Sequence, residues 1–237
     1  MKKIFCSGSC RLLLSIEEGR EKLISIHSTK DTLDSHIFLG KLHNTKQHIQ
    51  FIKFINDNII IPENIVCKFL TRYNDLIDKK YDCFTNIIKT KHNLKKNFFS
   101  CDFYIFEICS IKLYKKNSFE VQNDFTNDYK TEIQTNKDLY NDLAFIRKII
   151  PPEKKILFQV HFRPNIIYQE KKLKILNREI IYKTVKKFCN NNKNTFIYDP
   201  SLILQKDKNL FDGLVHFTKE GYLANFNFIY ENYIKNS

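Results

Sequence analysis

Ile4-Phe5-Cys6-Ser7-Gly8-Ser9-Cys10-Arg11 is the stretch on which the reading of this chain turns. Its apolar start predicts a strand, its glycine a tight turn, and the LLLSIEE pattern that follows at residues 12–18 a helix. A strand, a turn and a helix in that order make a mount for a nucleophile. The turn holds the reactive atom at the sheet edge, and the first amides of the helix are free to stabilise an oxyanion. The other end of the chain carries a complement. Asp212-Gly213-Leu214-Val215-His216-Phe217-Thr218 offers a histidine two residues ahead of a helix cap, with an acid four residues earlier that is able to orient the ring.

Between these ends the pattern alternates. Residues 23–27 predict a second strand, and Ser28–Leu42 a loop. A helix begins at Lys46 with Ile49, Ile52 and Ile55 on one stripe, and Pro62 opens another that carries Val66, Phe69, Tyr73, Leu76 and Ile77. The Lys- and Asn-rich residues 84–100 read as loop. Cys101–Ser110 is a nearly continuous apolar run, the mark of a strand buried on both faces. Residues 111–136 read as a hairpin or an excursion over the sheet, and Asp138 as the cap of a helix stopped by Pro151-Pro152. A strand at 155–162, a helix at 172–190, a strand at 195–198 and a last helix from Thr218 to Tyr233 complete the order. Strands alternating with helices imply an α/β fold with a mostly parallel sheet covered on both sides, in a single domain spanning 1–237. The crevice of such a sheet lies at the carboxyl ends of its strands. Gly8–Arg11, Glu107–Ser110, His161–Asn165 and the loop before the last helix then share one rim.

Composition narrows the function classes. The chain has 237 residues, 43% hydrophobic and 14% aromatic, which is ample for a core and excludes disorder. Its formal charge of +13 comes almost wholly from lysines spread along the sequence, in company with abundant Asn, Ile, Phe and Tyr. That is the bias of an AT-rich genome. It argues for a solvated basic surface rather than a nucleic-acid groove. Seven cysteines without a CxxC pair or Cys/His ligand spacing disfavour a disulfide framework or a zinc site. Reduced thiols and a cytoplasmic location are expected. No signal peptide or stretch of about 20 apolar residues is visible, so no membrane span is expected.

The two terminal blocks resemble those of the SGNH/GDSL hydrolase superfamily, which has a Gly-Asp-Ser motif after the first strand and Asp-x-x-His before the last helix. Here the first block reads Gly8-Ser9-Cys10-Arg11, in the manner of GSCFA-like proteins and Gly-x-Cys variants from polysaccharide biosynthesis, and the second reads Asp212 to His216. Aligning the glycines puts Cys10 at the nucleophile position; aligning on serine puts Ser9 there. The spacing from Asp212 to His216 is one residue longer than the family's, so Asp207, Asp199 or a dyad without acid are alternatives. The family's Gly-x-Asn-Asp block corresponds to Glu107-Ile108-Cys109-Ser110, where Ser110 stands in for the oxyanion-hole asparagine.

The resemblance implies a three-layer α/β/α sandwich with a flavodoxin-like central sheet, and ester hydrolysis or acyl transfer on a carbohydrate or other polar small molecule or glycan. Cys10 or Ser9 attacks, His216 acts as base and then acid, Asp212 orients it, and amides of Ser9–Arg11 with Ser110 hold the oxyanion. Gly8 shapes the turn. From their place at a strand end on the rim, His161, Arg163 and Asn165 are expected to face the substrate, an arginine and a histidine together suiting an anionic or sugar-like group, and Arg11 either to contact it as well or to cap the first turn. No metal or cofactor is implied. The rivals are an acyltransferase of glycan biosynthesis and a non-catalytic polyanion-binding protein on the same scaffold. Oligomeric state has no signature in the sequence.

Overall fold

The computed structural model describes residues 3–22, 25–28, 42–70, 83–122, 129–162, 176–204, 207–212 and 216–235. Its centre is a five-stranded sheet of β1 (Lys3–Ser7), β2 (Ser25–Ser28), β3 (Phe103–Ile108), β7 (Lys155–Val160) and β8 (Thr195–Tyr198), in the order β2-β1-β3-β7-β8 with every neighbouring pair parallel. This is the flavodoxin-like order expected from the sequence. The direction of winding reverses between β1 and β3, so the crevice of the fold opens where these two strands end.

Strand periodicity sorts the side chains onto two faces. Phe5, Tyr104, Phe106, Ile156 and Phe158 join one cluster with α2 (Thr45–Ile55), α3 (Glu63–Leu70), α4 (Cys83–Ser100), α5 (Asn136–Ile149) and α6 (Leu176–Asn190). Ile4, Cys6, Phe103, Ile105 and Leu157 join the other, with Leu12, Leu13 and Ile16 of α1 (Cys10–Glu18) and Phe226 and Ile229 of α8 (Lys219–Ile229). The three layers follow from these two cores. The short α7 (Ser201–Leu204) lies between β8 and a one-turn 3-10 helix at Lys208–Leu210.

Three local expectations change. Residues 84–100, read as loop, lie in α4, because Ile87, Leu94 and Phe98 recur at intervals of seven and four and are buried as one stripe. The lysines and asparagines between them obscure that stripe in the sequence. α5 is capped by Thr135, with Asp138 at its third position: Thr135 Oγ1 accepts the Asp138 amide at 3.1 Å and donates to its carboxylate at 2.6 Å. The excursion is a separate antiparallel sheet of β4 (Lys112–Lys116), β5 (Phe119–Glu120) and β6 (Lys130–Ile133). Its turn at Asn117 and Ser118 has positive φ. Residues 29–41, 71–82 and 172–175, covered by other expectations, lie outside the described residues.

Two buried polar groups fix the rim. By strand alternation Glu107 faces α1, and its carboxylate is fully buried. Oε2 accepts the amide of Ser9 at 2.7 Å and its hydroxyl at 2.5 Å, while Oε1 accepts Arg11 Nε at 2.9 Å. Burial raises the carboxyl's proton affinity, but the Arg11 guanidinium and the Ser9 donors outweigh it and hold Glu107 below the usual range. On the opposite face His48 of α2 bridges β1 and β3. Its Nε2–H donates to the Glu107 carbonyl at 3.0 Å, which leaves Nδ1 to accept the Ser7 hydroxyl, also at 3.0 Å. Burial lowers the His48 pKa from its ordinary 6.5 to about 4, against the upward pull of Glu107.

Both groups give stability predictions. Glu107→Gln leaves the buried Arg11 without its counter-charge and is expected to lose about 3 kcal/mol or more in urea unfolding. The double variant Glu107→Gln/Arg11→Met is expected to lose less, which no merely steric role for Glu107 predicts. For His48 the unfolded chain takes up a proton below pH 6.5 and the folded one does not until about pH 4. Stability is therefore full above pH 6.5 and falls as the pH drops, by ~3 kcal/mol in all from this residue. Urea titrations at pH 7 and pH 4 measure the loss, and an NMR titration of His48 with a midpoint near 6.5 would contradict its cause.

Candidate active site

The first block is shaped by close approach. Gly8 does not adopt a left-handed conformation; a Cβ there would stand 2.6 Å from the Glu107 Cβ and 3.0 Å from its Oε2. Only glycine lets β1 turn into α1 this near to β3. Ser9 then caps α1 with an extended backbone, its hydroxyl accepting the Arg11 amide at 3.3 Å while donating to Glu107. With its hydroxyl buried against a carboxylate, Ser9 holds the turn. Cys10, the next residue, is the one that faces the crevice.

The second block arrives on a two-residue antiparallel ribbon, β9 (Phe211–Asp212) with β10 (His216–Phe217). Phe211 and Phe217 pack with Phe162 into a satellite apolar cluster at the end of β7, with ring centroids 4.8 and 6.1 Å from that of Phe162. Thr218 caps α8 through the Gly221 amide, and its own amide donates to Leu210 O at 3.0 Å. A side chain at Gly221 would collide with that same Leu210 carbonyl. The ribbon is thus pinned to the helix behind it and to β7 below it.

These two constructions bring the chain ends together: His216 Nδ1 lies 3.5 Å from Cys10 Sγ. Thiol donating to neutral imidazole and imidazolium donating to thiolate differ by one proton along this line, so the pair is arranged for proton transfer. Asp212 is the direct cross-strand partner of His216. Residues directly opposite on an antiparallel pair project from the same face with Cβ atoms about 5 Å apart. The longer Asp212-to-His216 spacing is accommodated in this way, although among the described residues no hydrogen bond joins the two side chains. The alternative acids are engaged elsewhere: Asp199 accepts the Ser201 amide at 2.9 Å and Asp207 the Asn209 amide at 2.8 Å.

The expected oxyanion donors contract. The Ser9 amide is taken by Glu107 and the Arg11 amide by the Ser9 hydroxyl. Among the described residues the Cys10 amide has no acceptor. Ser110 is turned away: its hydroxyl accepts the Lys112 amide at 2.9 Å and its own amide donates to His43 O at 3.0 Å. Arg11 points inward to Glu107 rather than outward, so its expected contact with substrate gives way to holding the turn.

His161 closes the rim at the end of β7. Its Nδ1–H donates to Phe162 O at 3.2 Å, and burial, Arg11 and Arg178 together lower its pKa well below the ordinary value, so the ring is neutral with Nε2 as acceptor. Arg163 and Asn165 lie outside the described residues. Sequence reading missed Arg178, in the first turn of α6, whose Nη1 donates to the same Phe162 carbonyl at 3.1 Å. It also missed the roles of Glu107 and His48. The only signal for Glu107 was a carboxylate inside an otherwise apolar strand. Cys6, Cys10, Cys67, Cys101, Cys109 and Cys189 are free thiols, no described group of His, Cys, Asp and Glu has the arrangement of a metal site, and no described helix is long and apolar enough to cross a membrane.

No protein-family model and no curated protein matches the chain. Among solved structures it is similar to a Clostridium thermocellum family 3 carbohydrate esterase, at 14% identity over 99% of this chain and 96% of that one, with a TM-score of 0.43.

Proposed function

We propose that the chain is an SGNH-type enzyme acting on acyl esters, with Cys10 as its nucleophile. The observation that carries the reading is the 3.5 Å contact between Cys10 Sγ and His216 Nδ1, formed at the switch point of a parallel sheet. His216 takes the thiol proton as sulfur attacks the acyl carbon. The tetrahedral oxyanion forms against the Cys10 amide at the positive end of α1. Collapse breaks the ester C–O bond, and the imidazolium returns the proton to the departing alcohol, leaving a thioester on Cys10. Water, or a hydroxyl of an acceptor sugar, then gives its proton to His216 and attacks the thioester. The products are an acid or a new ester, and the free thiol is regenerated. Asp212, sharing a face with His216, steadies the imidazolium. A carbohydrate ester or other polar ester is the substrate class the family resemblance favours, and the acyl-transfer variant uses the same steps with a sugar acceptor.

The test compares wild type with Cys10→Ala, Cys10→Ser and His216→Ala. p-Nitrophenyl acetate hydrolysis is expected to fall at least ~100-fold in each, and mass spectrometry of quenched wild type is expected to find the acetyl group on Cys10. Iodoacetamide is expected to alkylate Cys10 faster than the other cysteines, and about tenfold more slowly in His216→Ala. Alkylation of Cys10 at the rate of the other thiols, with no acetylation there, would rule out the covalent route.

A further inference from the structure

Arg178 is electrostatically misplaced for a residue with only a structural task. It sits in the first turn of the 15-residue helix α6, where the helix's own amides disfavour a cation. It is half-buried, with its guanidinium stacked 5.2 Å from the Phe162 ring centroid. Of the five N–H donors an arginine carries, its one hydrogen bond among the described residues is to Phe162 O. No described carboxylate pairs with it. Burial and the neighbouring charge of Arg11 pull its pKa down to about 10. Arg11, also buried in the first turn of a helix, differs in being matched by Glu107. The chain is sparing with arginine, having only Arg11, Arg20, Arg72, Arg147, Arg163 and Arg178 among its 39 basic residues, so a guanidinium here is not the default cation.

Its position is fixed relative to the reacting pair. The Phe162 carbonyl accepts both His161 Nδ1–H and Arg178 Nη1–H, which locks the guanidinium at the carboxyl end of β7. The Phe162 ring packs on Phe217, the neighbour of His216. β7 is two strands from β1, about 10 Å across the sheet, and the charge of Arg11, the neighbour of Cys10, acts on Arg178, so the guanidinium shares the rim with the reacting pair.

We propose that Arg178 forms an anion subsite beside Cys10 and His216, taking a carboxylate or phosphate carried by the substrate. The planar fork binds such a group through two parallel N–H bonds and supplies the missing counter-charge. The inference that this anion belongs to an ester rests on the function proposed above; the subsite itself does not.

Two measurements separate these claims. In thermal unfolding, glutarate or inorganic phosphate is expected to raise the wild-type midpoint saturably by a few degrees, the stronger of the two identifying the source. The rise is expected to vanish in Arg178→Gln, to return in part in Arg178→Lys, and to persist in Lys183→Gln, an exposed site on the same helix. In catalysis, wild type is expected to prefer mono-p-nitrophenyl glutarate to p-nitrophenyl butyrate in kcat/KM, with the ratio falling at least ~10-fold in Arg178→Gln. Wild type that neither binds these anions nor prefers the anionic ester overturns the subsite, even where Arg178→Gln fails to fold; so does anion binding unchanged in a folded Arg178→Gln. If no ester is turned over, the esterase reading falls while the anion titration still decides the subsite.

Discussion

A single buried carboxylate organises the working end of this molecule. Glu107 lies in the central strand with no exposure to solvent, where an unpaired charge is untenable. It is kept by gathering the donors of one turn: the Ser9 amide, the Ser9 hydroxyl and the Arg11 guanidinium. That requirement fixes the entry of α1, demands glycine at position 8, and turns Cys10 away from the clamp. The place of Cys10 is thus set by the residues on either side of it, Ser9 and Arg11, whose side chains are directed to Glu107.

The partner of Cys10 is positioned by different physics. His216 is exposed and rides on a ribbon held by three phenylalanines and by the cap of α8. α1 and α8 pack on the same face of the sheet, which is what joins residues 206 positions apart. A second polar network supports that packing: Asn225 of α8 donates to Ser15 of α1 at 2.9 Å and accepts Tyr198 OH of β8 at 2.8 Å. Electrostatics holds one half of the pair and apolar packing the other.

Much of the architecture was legible from local pattern. β1, β3, β7 and β8 are apolar runs with few competing readings, and α1, α2 and α8 show clear stripes or caps. Where pattern failed, the cause was dilution or ambiguity. α4 carries its buried residues too far apart to stand out among lysines and asparagines. Thr135 and Asp138 are both acceptable caps, and only the backbone decides that threonine is the cap and aspartate its reciprocal partner.

The sequence by itself determined the alternation of strands with helices, hence a mostly parallel sheet, and the two short blocks at the chain ends, because apolar periodicity and glycine placement are local properties. Tertiary structure decided which atoms meet. Ser9 and Cys10 are adjacent and undistinguished by position until Glu107, on a strand about a hundred residues away in sequence, claims the hydroxyl and leaves the thiol beside His216. Arg178 is one basic residue among many until the fold half-buries it with no carboxylate beside it among the described residues. Both assignments depend on charges buried at long sequence separation, and a linear pattern carries no record of which charges are buried together.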